Sequence, residues 1–460
     1  MAVLILVFLL VLCLCISTAL LRWNEMRYRK KGLPPGTMGW PVFGETTEFL
    51  KQGPNFMKNQ RARFGNFFKS HLLGSPIVIS MDPEVNRYIL LNESKGLVPG
   101  YPQSMLDILG KNNIAAVHGP AHKSMRGALL NIISPTMIRD QLLPKVDEFM
   151  RFHLSNWDGK TVDIQEKTKE MALSSTLKQI GIESYSAALK PEFYKLVQGT
   201  ISLPIDLPGT NYGCGLQARK NIIGILRNIL EERRASPGVQ HDMLGGLMRY
   251  EDSGQKLSDE VIMDQIITLL YSGYETVSTT SMMTVKHLHD HPKALQQMRE
   301  EHLEIRKRKG PSEPIDWNDY KSMKFTRAVI LETMRLATIV NGVLRKTTHD
   351  MELNGFFIPK GWRIYVYLRE ANHDPCLYPE PLTFNPWRWE GRNLEYHNNF
   401  MLFGGGTRLC PGKEMGMVEI STFLHYFMTT YRWEEVGGQN LEKFPRVQAP
   451  NGLHIKVSNN

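Results

Sequence analysis

Cys410 stands in the stretch FGGGTRLCPG (403–412), where four glycines, an arginine and a proline surround one thiol in a chain whose other cysteines are at 13, 15, 214 and 376. An odd number of cysteines without a CxxC pair suggests neither a disulfide framework nor a zinc finger, so Cys410 has to be read alone. Gly404, Gly405 and Gly406 permit a sharp turn that brings backbone amides close to one atom. Phe403 offers an apolar wall and Arg408 a fixed positive charge, and a metal or that charge field would hold the thiol as a thiolate. The spacing F-x-x-G-x-R-x-C-x-G joins four positions with distinct physical roles, which favours a ligand over a buried free cysteine at a turn.

A second candidate is the segment DQIITLLYSGYETVSTTSMMTVKHLHDHP (264–292), preceded by Leu257-Ser258-Asp259-Glu260, which has the pattern of a helix cap. Gly273 weakens the helix centre, Glu275 puts a carboxylate into an apolar run, and Thr276 adds a hydroxyl that can bond to the preceding turn. Two readings stand: a kinked core helix with a solvated glutamate, or a bent helix beside a reactive centre where Thr276 and Glu275 relay protons. Glu332 and Arg335, at i,i+3 in AVILETMRLATIV (328–340), can pair along one helix face. Such pairs are usually superficial, but the apolar flanks favour burial, with Arg388 of FNPWRW as a third member. His287, His289 and His291 read as a helix terminus, since Pro292 takes His291 out of helical geometry. No Walker loop, GxGxxG, GxSxG or HExxH is present.

The elements that must position these residues are mostly helical. In KNIIGILRNILEERR (220–234) Ile222, Ile223, Leu226, Ile229 and Leu230 share one face. Strand-like runs are short: SPIVIS (75–80), MELNGFFIP (351–359) with an Asn-Gly turn, and WRIYVYL (362–368). The class is mainly α with small β-sheets. Ala2 to Leu21 carry no charged side chain and as a helix would extend about 30 Å, a bilayer core. Arg22, Arg27, Arg29, Lys30 and Lys31 follow and by the positive-inside rule keep the rest cytosolic. A cleaved signal peptide, the rival, lacks a basic n-region here. The expected division is a transmembrane anchor (1–21), a basic and proline-rich hinge (22–44, including LPPGTMGWPVFG) and one large catalytic domain (45–460). The sequon Asn92-Glu93-Ser94 would stay bare on the cytosolic side. With 42% apolar and 22% charged residues among 460 the chain is globular. Its net charge of +9, scattered and without interleaved aromatics, suits membrane lipid or an acidic protein and no nucleic acid.

Taken together and in this order, the anchor, hinge, SGYET, ETMR, ANHDPCLYPEPLTFNPWRW and the cysteine loop resemble the cytochrome P-450 superfamily of haem-thiolate monooxygenases. That resemblance implies the cytochrome P-450 fold and a haem b (iron protoporphyrin IX) whose iron takes Cys410 as axial thiolate. Arg408, Arg345 in VLRKTT, and Arg126 with His122 in AHKSMRG would hold its propionates, with Phe403 and Gly404 in the haem-binding loop. It further implies that Thr276 and Glu275 deliver protons during oxygen activation, and that Glu332, Arg335 and Arg388 form a structural triad. His122 stands where many members have Trp, Ser272 replaces a small apolar residue and Trp389 replaces Phe. Within the superfamily, segments such as KGLVPGYPQSMLDILGKNNIAAVHG and ATIVNGVLRKTTHDMELNGFFIPKGWRIYVY resemble plant brassinosteroid-6-oxidases. The implied reaction takes 6-deoxocastasterone through its 6-hydroxy derivative to castasterone, and the step on to brassinolide stays open. The implied setting is the endoplasmic reticulum membrane, single-pass, with electrons from NADPH through a cytochrome P-450 reductase. The steroid pocket would draw on 98–116, 200–212, 268–276 and 338–344. The alternatives are a monooxygenase of another plant steroid or terpenoid, an O2-independent haem-thiolate isomerase, and an anchored haem- or lipid-binding protein without turnover.

Overall fold

The apolar run at the N-terminus forms one continuous helix, α1 (Ala2–Arg27), which extends past the expected end at Leu21 through the first basic residues. In this computed structural model, which describes residues 2–460 except 237, 239, 311, 392, 393 and 439, α1 is long and apolar enough to cross a membrane. Its last turns are tied down rather than frayed. The buried Asn24 amide donates to the carbonyls of Met38, Gly39 and Trp40 at 3.1, 2.9 and 3.3 Å, and Arg27 stacks 5.6 Å from the Trp23 ring. The proline-rich segment therefore lies against the body instead of swinging free; Lys69 donates its N–H to the Pro35 carbonyl at 2.8 Å.

One mixed sheet holds five strands: β1 (Phe67–Leu72), β2 (Ser75–Ser80), β3 (Leu97–Pro99), β4 (Gly342–Thr347) and β5 (Arg363–Tyr367), in the order β1-β2-β5-β4-β3. β5 runs parallel to β2, and its other neighbour β4 is antiparallel, with Arg345 opposite Ile364 on one side and Pro99 on the other. The Asn354-Gly355 turn joins the predicted hairpin, Met351–Leu353 with Phe356–Ile358, both turn residues having positive φ (53° and 74°). Tyr431–Gly437, His454–Asn459 and Thr161–Asp163 make a further small sheet that the sequence pattern did not announce, because its third strand is only three residues long.

The helices that carry the site are α2 (Pro83–Leu91), α3 (Gly119–Ile132), α4 (Ile164–Ile180), α5 (Ser186–Gly199), α6 (Asn211–Ala235), α7 (Asp259–Asp290), α8 (Lys324–Ala337) and α9 (Lys413–Thr430). The core lies where α7 packs on α4, α8 and α9, and α9 is buried on all sides from Met415 to Met428 apart from Gly416. Ser258 caps α7 by accepting from the Val261 N–H. The hydroxyls of Thr268, Thr276, Thr280 and Thr284 each donate to the carbonyl four residues back at 2.7–2.8 Å, so these four are satisfied within the helix. α7 is one continuous helix through Gly273. A Cβ at that position would lie 2.9 Å from Thr176 Oγ1 of α4, and the glycine lets the two helices meet closely.

Candidate active site

The loop before α9 reverses at Gly404 (φ 75°) and Gly406 (φ 63°). A Cβ on Gly406 would lie 2.3 Å from the Leu90 carbonyl oxygen of α2, so the turn and its close approach both require glycine. Cys410 closes the loop by donating its backbone N–H to the Phe403 carbonyl at 2.9 Å. Its side chain is accessible although protein surrounds the residue, because the thiol faces a cleft rather than neighbouring atoms. Burial pushes the thiol above its ordinary range; the Gly412 N–H, Arg126 and Lys413 act against that without reversing it. A bound metal cation is what would hold this sulfur as a thiolate.

The cleft encloses about 950 Å³ of atom-free space including its mouth. Phe403, Gly404 and Cys410 line it from the loop, Thr276, Val277 and Thr280 from α7, Ile339 and Val340 from the approach to β4, and Val343 from β4 itself. The walls are mainly apolar. Thr276 Oγ1 donates to the Ser272 carbonyl at 2.7 Å, which leaves its lone pairs open to a donor in the cleft. Glu275 sits about 100° further round the helix and is not on the cleft wall. Its Oε1 lies 3.3 Å from Arg446 Nη1. Arg446 Nη2 in turn donates to Thr200 Oγ1 at 2.7 Å and to the Val197 carbonyl at 3.3 Å, at the end of α5. Burial lowers the Lys169 ammonium, and the nearby Glu275 carboxylate opposes that shift. Of the two residues read as a proton relay, the structure brings Thr276 to the cleft and turns Glu275 toward cations outside it.

At one edge the cleft meets a second cavity of about 570 Å³, lined by Tyr101, His122, Arg126, Val343, Arg345 and Arg408 among others. Between Arg345 and Arg408 lies a residue the sequence reading passed over: Glu93, buried just after α2. Arg408 Nε donates to Glu93 Oε1 at 2.5 Å, and its Nη atoms donate to the Ile114 and Val117 carbonyls at 2.6 and 2.5 Å. Arg345 Nε is 3.4 Å from Glu93 Oε2, and neither atom has a hydrogen-bond partner among the described residues. Arg126 Nη1 donates to the Leu409 carbonyl at 2.7 Å. Burial, with Arg408 adding to it, lowers His122 to about 4, so its imidazole is neutral at physiological pH and keeps one N–H to donate. Three guanidiniums against one carboxylate leave a surplus of two positive charges around a cavity continuous with the Cys410 cleft. An apolar slot with a thiol on one side and two surplus cationic charges at its edge fits a flat metal macrocycle bearing two carboxylates, which is what haem is.

The expected triad is present and holds the surrounding loops. Arg335 grips Glu332 with two bonds of 2.9 and 2.8 Å, and Arg388 Nε donates to the same carboxylate at 3.1 Å. The Asn385 N–H and the Trp389 indole N–H, both at 2.9 Å, complete the shell, and Arg335 Nη1 reaches the carbonyls of Asn372 and Pro381. Burial pushes Glu332 up, but these donors outweigh it and hold the carboxyl below its ordinary value. Trp389, noted as a departure from Phe, thus supplies a donor that Phe lacks. His289, Asp290 and Glu435 also converge, but the Lys286 ammonium already bridges the two carboxylates at 2.7 and 3.1 Å.

Of the segments expected to line a substrate pocket, 98–116 contributes Tyr101, Ile114 and Ala115, and 338–344 contributes Ile339, Val340 and Val343. The stretch 200–212 contributes nothing to these two cavities; Ile201, Leu203, Ile205 and Leu207 are exposed.

A helical body around a cysteine loop that faces α7 is the architecture of a haem-thiolate oxidoreductase, and the chain belongs to the cytochrome P450 family, whose model matches residues 34–457. Haem is the cofactor of that family, and the chain is a monooxygenase. A Phaseolus vulgaris protein named cytochrome P450 85A is 72% identical over 452 residues, covering 98% of this chain and 97% of its own length. An Arabidopsis thaliana protein named 3beta,22alpha-dihydroxysteroid 3-dehydrogenase is 37% identical over 461 residues, covering 98% of each chain. Among solved structures, retinoic acid-bound cyanobacterial CYP120A1 superposes with a TM-score of 0.86 at 30% identity, over 94% of this chain and all of the other.

Proposed function

We propose that this chain is a membrane-anchored monooxygenase of brassinosteroid biosynthesis that oxidises carbon 6 of 6-deoxocastasterone, first to the alcohol and then to the ketone, castasterone. The observation that carries it is the mainly apolar cleft into which the Cys410 thiol and the Thr276 hydroxyl both open. The steroid assignment rests on the quoted segments resembling plant brassinosteroid-6-oxidases, supported by a relative named for a dihydroxysteroid.

When bound, haem would supply the redox centre at which dioxygen is activated. Cys410 Sγ would ligate its iron. Arg345, Arg408, Arg126 and His122 would receive its carboxylates, and Phe403 and Gly404 would line its thiolate side. Thr276 Oγ1, fixed by the Ser272 carbonyl, would hold a proton donor within the cleft. Glu275 would take up protons on the Arg446 side and pass them inward after releasing that guanidinium. Val277, Ile339, Val340 and Val343 would exclude water and seat the steroid skeleton. Each cycle consumes one dioxygen, two electrons and two protons and releases one water. The second cycle, on the 6-hydroxy carbon, gives a gem-diol that loses a further water to leave the ketone.

In this reading residues 1–21 anchor the chain in the endoplasmic reticulum membrane, 22–44 connect the anchor to the body, and 45–460 do the chemistry on the cytosolic side. Electrons come from NADPH through a membrane-bound reductase with an acidic docking face, which suits the net charge of +9. The test is the full chain reconstituted with that reductase in lipid vesicles and given 6-deoxocastasterone. Mass spectrometry should find the 6-hydroxy compound and then castasterone, and strict anaerobiosis should stop both. Turnover of a different steroid alone would overturn the substrate, and a product of unchanged mass formed without oxygen would replace the monooxygenase by an isomerase. Cys410→Ala should abolish the long-wavelength absorption of the reduced carbon monoxide complex.

A further inference from the structure

We infer that Glu93 is a positioning residue for the haem: a buried counter-charge that holds Arg345 and Arg408 ready and sets the net charge of the site to match the cofactor's two carboxylates. This rests on reading the cleft as a haem site.

A carboxylate only 6% exposed, as Glu93 is, is costly to bury unless cations compensate it. Here the compensation comes from two guanidiniums that line the cavity at the edge of the Cys410 cleft. Glu93 stands behind both. Arg408 is fixed at three nitrogens, by Glu93 Oε1 and by the carbonyls of Ile114 and Val117. Arg345 is held more loosely, with Nη1 on the Leu344 carbonyl at 3.1 Å and Nε facing Glu93 Oε2 without forming a bond. Among the described residues Arg345 Nη2 meets no acceptor, so the cluster keeps donor capacity on a side chain that lines the cavity. Tyr101 lies in the same cluster, and burial raises its phenol, so it brings no further charge at physiological pH.

The charge count gives Glu93 a second role. Arg126, Arg345 and Arg408 against Glu93 leave two positive charges, equal and opposite to two carboxylates. Without Glu93 the count is three, and the uncompensated charge would favour the reduced, less positive form of any metal centre nearby. The geometry therefore assigns Glu93 both orientation and field.

Three single variants of the full-length holoprotein separate these roles. Glu93→Gln removes the charge and turns an amide N–H₂ toward one of the guanidiniums. Its reduction potential should rise, and haem should pass to excess apomyoglobin about tenfold faster, the loss of one charge-assisted contact. Glu93→Asp keeps the charge on a shorter stem, so it should restore the potential while haem release stays fast. It also serves as the reporter should Glu93→Gln not fold. Glu84→Gln removes an exposed carboxylate from α2 and should change neither quantity. If Glu93→Gln shifts the potential no further than Glu84→Gln, or shifts it downward, the inference is wrong. If the parent protein itself lacks the thiolate-type carbon monoxide spectrum, the haem reading fails instead, before any variant is compared.

Discussion

Two buried clusters in this chain each contain one glutamate and two arginines, and they differ in what is left over. Around Glu332 both carboxylate oxygens accept from Arg335, and Arg388, Trp389 and the Asn385 N–H add three more bonds. The spare arginine donors there go to loop carbonyls at 372, 379, 381 and 383. Around Glu93 one carboxylate oxygen and one arginine Nε have no hydrogen-bond partner among the described residues, and the guanidiniums line a cavity. The same three side chains make a fastener when every donor is used and an anion receptor when some are kept back.

The comparison can be broken most forcefully at the closed cluster. Glu332→Ala strands Arg335 and Arg388 in the core, and a loss of about 3–5 kcal/mol is expected. That is a large share of the stability of an ordinary domain, so little soluble holoprotein should be recovered. Glu93→Ala should unfold at a clearly higher denaturant concentration than Glu332→Ala, since its arginines face a cavity that water can enter. Equal midpoints would erase the distinction. Next, Arg345→Ala should leave the circular dichroism spectrum intact but weaken haem retention by about 1.5–3 kcal/mol, read as lost haem absorbance on gel filtration. Trp389→Phe then removes one donor of five from Glu332. A stability loss of about 1 kcal/mol with unchanged haem content is expected, which would confine Trp389 to the fastener.

A third buried carboxylate sharpens the contrast because it has no arginine. Glu419 of α9 faces the polar side chains of Ser175 and Gln179 of α4, and burial pushes it up to about 7 although both of them act to lower it. A carboxyl whose folded value lies above its unfolded value near 4.5 contributes stability when protonated, and that contribution is lost as pH rises through 7. Glu332, held below its ordinary value, has the opposite sign: its contribution is present above 4.5 and lost as pH falls through the depressed value. Glu419→Gln should therefore flatten the decline of the melting temperature between pH 5 and pH 8, whereas an unchanged slope would place that decline elsewhere.

The parts of the site that were legible in the sequence are those made by neighbours in the chain. The cap at Ser258, the Glu332–Arg335 pair one helical turn apart, the Asn354-Gly355 turn and the glycines beside Cys410 all appear where their local patterns put them. Their physics is short-range. Glu93 was visible only as the centre of a sequon, because its partner Arg408 lies 315 residues away and no short pattern marks it. Adjacency in the sequence suggests a shared role for Glu275 and Thr276. Adjacent helical residues point about 100° apart, and a cation at position 446 decides which of them leaves the cleft.

By itself, then, the amino-acid order determined the kind of protein: an apolar N-terminal helix, a mainly helical body and a thiol in a glycine turn, each set by composition and local geometry. Only the tertiary structure decided the electrostatics of the site. It placed Glu93 behind two arginines from distant strands and loops, gave Trp389 its carboxylate, and drew Glu275 toward Arg446. Charges act through space, and which charges face one another depends on how helices and strands pack, which no local spacing encodes.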